Sequence, residues 1–287
     1  MSRCALTNTL HTRLRWALPG VLALLLGCAS TPAPDIATQR FDAAFRTGSE
    51  KFAAGDLPQA AAAFAQAERM AALYDRRALR LQALFSIGAV AATREDGAAA
   101  LQAYRQAQAE ARGLADTHSQ AVARAGVAEL QRRAGDYAAA LQGFDWALAP
   151  DALRPNSPER LQARMGRALV WNATGMAPAA RDELLALEAQ ARASGSTLLP
   201  AVLANQAVLL RDAGAVPAAI AKAEEALERD RRLSSPYALA ADLELLGKLY
   251  LLSGKNAEAR VNLERALRMV QATGQMRTVE RLRQLLP

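Results

Sequence analysis

The chain has 287 residues, of which 52% are hydrophobic and 22% are charged, a composition that excludes a largely disordered or collagen-like protein. Alanine is abundant whereas Val, Ile and Thr are scarce, which excludes a β-rich fold and predicts an all-α protein. The formal net charge is +7, but basic and acidic residues alternate along the predicted helices, so we predict no nucleic-acid partner.

The amino terminus has the organisation of a secretory signal. Arg3, Arg13 and Arg15 occur without any acidic residue and precede the apolar run Trp16–Leu26. A basic segment followed by a short apolar segment is typical of a signal peptide. The apolar run is about half of the roughly 20 residues that a membrane-spanning helix needs. We therefore predict that residues 1–27 direct export and are then removed.

The export segment ends in a lipidation motif. The tetrad Leu-Leu-Gly-Cys at residues 25–28 resembles the lipobox of bacterial lipoproteins, which implies cleavage before Cys28 and a covalent lipid on that cysteine. Because Ala29 follows, and not the Asp that retains such proteins at the inner membrane, the resemblance implies the periplasmic face of the outer membrane. We predict that residues 28–40 are the lipidated cysteine and a flexible tether. The alternative is an ordinary secretory cleavage beside an unmodified cysteine.

A pattern of paired helices recurs through residues 41–272 with a period of about 40. In most copies a glycine or alanine on the first helix is followed, after a turn, by Ala, a large apolar residue and another Ala at spacings of four and three. The fourth and fifth copies are degenerate, with Leu187 in place of the second Ala and Ala223 in place of the large apolar residue. The clearest copy contains Leu246, Gly247, Tyr250, Gly254, Ala259, Leu263 and Ala266.

This pattern resembles the tetratricopeptide repeat (TPR) family. The resemblance implies an all-α, right-handed superhelical solenoid of about six helical hairpins. Each copy is six residues longer than the usual 34, so HEAT-like repeats, whose period is near 40, remain a structural alternative. Residues 150–158 form the one linker predicted between hairpins. Residues 273–287 contain a predicted amphipathic helix, Met276–Leu286, that caps the open apolar end of the stack.

The sequence offers little material for catalysis. The body of the chain has one histidine, His118, and it lies between Asp116 and Ser119 in a turn that a helix N-cap explains. With Cys4 in the signal and Cys28 lipidated, no thiol is left for a disulfide, a metal site or a nucleophile. No phosphate-binding, dinucleotide-binding or zinc motif is present. We predict a protein that is not an enzyme, with no metal and no cofactor besides the lipid on Cys28.

The TPR resemblance also implies a concave surface lined by the first helix of each hairpin. On this surface we predict an apolar entrance and a middle part rich in arginine and side-chain amides, which would suit an extended peptide. The predicted groove residues are Phe45, Phe52, Gln82, Phe85, Glu129, Arg132, Arg133, Gln162, Met165, Asn172, Asn205, Arg211, Glu244 and Lys248.

Two functions remain open on this sequence. The first is a membrane-anchored adaptor that binds another envelope protein, in pilus or secretion assembly, outer-membrane biogenesis or the peptidoglycan machinery. The second is a lipoprotein that binds a small ligand or glycan through an anion pocket formed by Arg132, Arg133 and Arg211. Tethering near the membrane raises the effective concentration of the groove toward resident proteins, which favours the adaptor.

Overall fold

The computed structural model describes residues 35–286, and this part of the chain consists of thirteen α-helices and their turns, without a strand. The predicted signal, Cys28 and most of the predicted tether lie outside the described residues. The helices are α1 (Ile36–Ala53), α2 (Leu57–Leu73), α3 (Arg77–Thr93), α4 (Gly97–Gly113), α5 (Thr117–Arg133), α6 (Tyr137–Ala147), α7 (Pro158–Ala173), α8 (Ala177–Ser194), α9 (Leu199–Asp212), α10 (Val216–Leu233), α11 (Pro236–Leu252), α12 (Asn256–Ala272) and α13 (Met276–Leu285).

Twelve of these helices form six hairpins, and α13 follows as a terminal helix. Successive hairpins repeat every 39 or 40 residues, counted between the starts of their second helices α2, α4, α6, α8, α10 and α12. The predicted all-α solenoid of six hairpins and a terminal helix is therefore confirmed. Within residues 35–286, no helix has the length and hydropathy that crossing a bilayer requires.

Aspartate side chains start many of the helices. Asp56, Asp96 and Asp136 accept a hydrogen bond from the backbone N–H three residues later, at the starts of α2, α4 and α6. Asp116 does the same for α5 through the N–H of Ser119, as the sequence predicted for the turn around His118. Each cap satisfies a helix N–H that would otherwise lack a partner.

The first helix starts earlier than the predicted repeat region. Helix α1 begins at Ile36, inside the segment 28–40 that was predicted to be the lipidated cysteine and a flexible tether. The side chain of Asp35 accepts a hydrogen bond from Thr38 N at 2.8 Å and so caps the helix. Asp35 also pairs with Arg76, which fixes the start of α1 against the next hairpin. The tether prediction is therefore wrong for residues 36–40.

Glycines on the first helices let the two helices of a hairpin approach closely. A Cβ atom at Gly48 would lie 2.7 Å from the ring of Phe64, and one at Gly88 would lie 2.7 Å from the ring of Tyr104. Both distances are shorter than any ordinary carbon–carbon contact. The Gly and large-apolar positions of the repeat pattern are therefore steric partners across each of these hairpins.

We expect Gly88→Ala to lower the free energy of unfolding by about 1 kcal/mol. Alanine gains roughly 1 kcal/mol of helix propensity over glycine, but overpacking against Tyr104 costs about 1–3 kcal/mol. The matched control is Gly97→Ala, because a Cβ atom there meets nothing within 4 Å. Urea unfolding followed by circular dichroism measures both. Equal stability changes for the two variants would contradict the steric argument.

The predicted linker between the third and fourth hairpins is packed against the protein. Leu153 in this segment is buried. The guanidinium of Arg160 donates hydrogen bonds to the carbonyl oxygens of Leu148 and Leu153, at 3.2 and 3.0 Å. The linker therefore joins the two hairpins through fixed contacts.

The two ends of the solenoid touch each other. The rings of Phe52 and Tyr237 lie 5.1 Å apart, and the Tyr237 hydroxyl donates to the carbonyl oxygen of Phe52. Arg281 of α13 donates to Glu95 Oε1 at 2.6 Å, and Arg277 donates to the Glu95 carbonyl. We call these contacts the end contact. They connect the end of α1 and the turn between α3 and α4 with α11 and α13.

Candidate binding groove

A central groove of about 600 Å³ lies on the inner side of the solenoid. Most of its wall comes from α5, α7, α9 and α11, the first helices of four consecutive hairpins. Its polar lining residues are Tyr104, Glu129, Arg132, Arg133, Glu159, Gln162, Asn205, Asp230 and Asp242.

Part of the predicted surface forms this groove. The predicted residues that line it are Glu129, Arg132, Arg133, Gln162, Met165 and Asn205. They come from α5, α7 and α9, so the structure brings together the middle of the predicted surface. Whether they touch a partner stays a prediction.

The predicted aromatic entrance packs within the protein. The ring of Phe45 lies 5.3 Å from that of Phe41 and 5.2 Å from that of Phe64. Phe52 belongs to the end contact. Phe85 is half-buried beside the α3–α4 core, and Gln82 is exposed on α3. None of these predicted residues lines the central groove.

The other predicted residues also lie away from the groove. Asn172 donates to Asp212 Oδ2 at 2.7 Å, and Arg211 pairs with Asp212 Oδ1 at 2.7 Å. Lys248 pairs with Glu244 at 2.6 Å. Arg211 therefore does not join Arg132 and Arg133, and the three arginines of the predicted anion pocket do not share one site.

Glu129 neutralises part of the basic wall of the groove. Arg132 forms two hydrogen bonds of 2.8 Å with the Glu129 carboxylate, and Arg133 adds a third at 2.7 Å. Burial on its own would raise the pKa of Glu129, but the hydrogen bonds and charges of the two arginines lower that pKa below its usual value. Two guanidinium groups therefore share one carboxylate, which leaves one net positive charge.

An acidic pair forms another part of the lining. Asp230 of α10 and Asp242 of α11 are only 6% and 4% exposed, and their carboxyl groups hydrogen-bond to each other. Burial raises the pKa of both groups, and the neighbouring charge of Asp230 adds to this effect and raises the pKa of Asp242 to about 8. The pair therefore keeps a proton at neutral pH, which the two carboxyl groups share in their hydrogen bond.

Prediction from the sequence missed this pair. Asp230 lies on the second helix of its hairpin, and the groove was predicted from first helices alone. The internal repeats contain a signal that could have revealed both residues, because the equivalent positions in other hairpins are apolar. The equivalents of Asp242 are Ala43, Ala83, Ala123, Ala163 and Val202, and those of Asp230 on helices of full length are Ala71, Ala111, Ala191 and Val270.

No known family and no curated protein sequence matches the chain. Among solved structures, a Rap protein complexed with competence and sporulation factor aligns over 86% of this chain and 80% of its own, with a TM-score of 0.62 and 14% identity. BtubC from P. vanneervenii aligns over 84% and 93%, with a TM-score of 0.51 and 19% identity. A tetratricopeptide repeat protein from Parabacteroides merdae covers 86% and 99%, with a TM-score of 0.42 and 17% identity.

At these identities the likeness establishes the fold alone. Together with the six regular hairpins, it identifies an α-solenoid of helical hairpins, as the repeat pattern predicted. A fold of this kind does not determine an activity.

Proposed function

We propose that this protein is a lipid-anchored adaptor that holds an extended segment of another envelope protein in the central groove. The observation that carries the proposal is the groove itself, a space of about 600 Å³ walled by first helices of four consecutive hairpins. Repeat solenoids use concave surfaces of this kind for binding. No catalytic step is part of this proposal.

The groove lining has the chemistry that an extended peptide needs. The side-chain amides of Gln162 and Asn205 can pair with a peptide backbone, while Met165 and Leu169 offer apolar contact. Arg132 and Arg133 keep one net positive charge for a carboxylate. The Rap protein of similar fold was solved in complex with another factor, which supports binding as the role of this solenoid.

The proposed location rests on the amino-terminal sequence. Cys28 lies in the lipobox-like tetrad, and Ala29 follows it, so we propose an anchor on the periplasmic face of the outer membrane. We expect Cys28→Ser to release the chain from the membrane fraction, because the lipid on this cysteine is the proposed anchor and the variant would lack it. Fractionation of cells, with mass spectrometry of the mature amino terminus, measures this. A Cys28→Ser variant that stays in the outer membrane would contradict the anchor.

The adaptor proposal is tested by filling the groove. Ala201 of α9 lines the groove and is exposed, so Ala201→Trp obstructs the space without disturbing the core. Ala186 of α8 is equally exposed but does not line the groove, and Ala186→Trp is the matched control. We expect a protein that co-purifies with the lipidated chain to be lost in the first variant only. The same partner recovered with both variants would overturn the groove as its binding site.

The size of the groove also favours a second candidate function. Small-molecule sites have volumes of about 300–1,000 Å³, a range that includes the central groove. A small-ligand or glycan-binding role would give saturable binding of one defined compound that Ala201→Trp abolishes. Arg132 and Arg133 would serve such a ligand without Arg211, which pairs with Asp212 elsewhere.

A further inference from the structure

We propose that Asp230 and Asp242 bind an alkylammonium group, presented by a lysine side chain or the amino terminus of the segment in the central groove. This inference rests on the proposed function, since it specifies the chemistry of the bound segment. Neither carboxyl belongs to the predicted arginine and amide surface.

Apart from the hydrogen bond between its two carboxyl groups, the pair lacks the partners that buried acids usually have. Asp242 exposes 4% of its surface, and no donor in the described part of the chain reaches its Oδ2. None of the ion pairs found within residues 35–286 includes Asp230 or Asp242. Buried carboxyls are normally paired with a cation or fully hydrogen-bonded. An unsatisfied carboxyl oxygen in the wall of a groove points to a donor supplied from outside the chain.

The internal repeats show that the fold itself does not require acids at these positions. Ala83, Ala163 and Val202 occupy the position of Asp242 in other hairpins, and each is buried. Ala191 and Val270 likewise stand in the place of Asp230 and are buried. Two acids therefore replace small apolar residues on adjoining helices where they meet each other. Burying two acids destabilises the fold, and packing does not require acids at these positions. We therefore attribute Asp230 and Asp242 to the function of the groove.

Near the acidic pair, the groove has space for a ligand group and carboxyl groups that can bind a cation. Ala201, Ala204, Ala238 and Ala241 contribute only methyl groups to the wall that includes the acids. The charged groups lining the groove are the carboxyls Glu129, Glu159, Asp230 and Asp242 and the guanidinium groups Arg132 and Arg133. Since Glu129 is held by the two arginines, Glu159 and the acidic pair remain for a cation.

An ammonium group suits the pair better than a metal ion. Within residues 35–286, no group of three or more His, Cys, Asp or Glu side chains could hold a metal. Calcium and magnesium need about six oxygen ligands, whereas an alkylammonium group has three N–H donors and matches two carboxyls and one amide oxygen such as that of Asn205. On binding, the proton of Asp242 leaves to the solvent and the ammonium N–H groups take its place, so binding releases a proton.

The test uses the full-length chain in detergent and random peptides displayed on phage. Selected peptides are then synthesised with a free or acetylated amino terminus, and with lysine or glutamine at each basic position. Titration calorimetry compares the parent chain with Asp242→Asn and Asp230→Asn. Asp182→Asn is the matched control, because Asp182 is an exposed aspartate on α8. Circular dichroism verifies that each variant is folded.

We expect acetylation or the lysine-to-glutamine change to weaken binding about 10- to 100-fold, the effect of losing one charge-assisted hydrogen-bonded contact. Asp242→Asn should weaken binding of the unmodified peptide by a similar factor, and acetylation or the lysine-to-glutamine change should then have no further effect. Asp182→Asn should alter neither the affinity nor the effect of these peptide modifications. Calorimetry in buffers of different ionisation enthalpy should show proton release with the parent chain and not with Asp242→Asn.

The other outcomes separate this inference from the proposed function. Peptides that require an open groove but bind Asp242→Asn normally would overturn the ammonium site and leave the adaptor role. Cadaverine binding that depends on Asp242, with no peptide selected, would support the ammonium site and overturn the peptide groove. A parent chain that binds neither a peptide nor cadaverine would overturn both the peptide groove and the ammonium site. Magnesium chloride that binds the parent chain in an Asp242-dependent manner would overturn the assignment to an ammonium group.

Discussion

We expect the free energy of unfolding to fall by several kcal/mol as the pH rises from about 5 to about 8, and Asp242→Asn to remove most of this dependence. Burial and the charge of Asp230 raise the pKa of Asp242 from the ordinary value of 3.8 to about 8. Between these two values the folded chain binds a proton that the unfolded chain has lost. Stability therefore decreases with pH in this interval, at no more than about 1.4 kcal/mol per pH unit.

The other titrating carboxyls give the opposite slope in a lower range. Glu188 has its pKa lowered from 4.5 to about 2, because hydrogen bonds from Gln206, Lys222 and Arg192 outweigh the effect of burial. Such a group adds stability above its unfolded pKa, and this stability is lost as the pH falls toward 2. Its contribution is constant above about pH 6, so the slope at higher pH isolates the aspartate pair.

Thermal unfolding of the full-length chain in detergent between pH 5 and pH 8 measures this effect. A change of 1 kcal/mol corresponds to about 2–4 °C in a protein of this size, so a fall of several kcal/mol should lower the melting temperature by roughly 10 °C. Asp182→Asn, at an exposed site, should retain the parent slope. A parent chain with equal stability at both pH values would contradict a shared buried proton.

The second large effect is expected at the end contact, where Arg281→Ala should lower the free energy of unfolding by about 1–3 kcal/mol. The Arg281 guanidinium donates to both oxygens of Glu244, at 3.1 and 3.0 Å, and to Glu95 at 2.6 Å. Glu244 is 8% exposed and would keep only Lys248 as a partner. Removing one partner of a buried ion pair costs up to about 5 kcal/mol, and the remaining lysine and the partial exposure of Arg281 reduce that figure.

Arg281→Ala should also change the shape of the solenoid. We expect a larger radius of gyration by small-angle X-ray scattering, because the second hairpin loses its connection to the terminal helix α13. Arg283→Ala is the matched control, since Arg283 is exposed on the same helix. If Arg281→Ala and Arg283→Ala both kept the parent stability and radius, the end contact would not hold the solenoid closed.

Glu95 provides an independent variant of the same contact. It has a left-handed backbone conformation, with φ of 58°, at a turn position where Gly55 and Gly135 occur in other hairpins. Glu95→Gly therefore suits the turn but removes the carboxylate that binds Arg281. Asp75→Gly changes a residue of similar conformation in another turn and serves as its control. A double-mutant cycle between Glu95→Gly and Arg281→Ala should give a coupling energy of about 0.5–3 kcal/mol.

The sequence by itself determined the local structure and the repeat. Helix propensity, the Gly and large-apolar spacing and the aspartate caps depend on residues close in the chain. They predicted six hairpins and the terminal helix Met276–Leu286, which ends at Leu285 in the structure. The resemblance to the TPR family implied that first helices line the groove, and Glu129, Gln162 and Asn205 are among the implied residues that do so. The start of α1 was predicted incorrectly. The Asp35 cap on Thr38 is a local contact that the sequence could have revealed, whereas the ion pair of Asp35 with Arg76 forms only in the folded chain.

Only the tertiary structure decided which distant residues meet. The contact of Phe52 with Tyr237 depends on the curvature accumulated over six hairpins, which no local pattern specifies, and it removes Phe52 from the predicted groove entrance. The pairing of Asp230 with Asp242 depends on how α10 packs against α11. Side-chain charge is readable in the sequence, but burial and neighbouring charge determine protonation and binding chemistry, and both arise from packing.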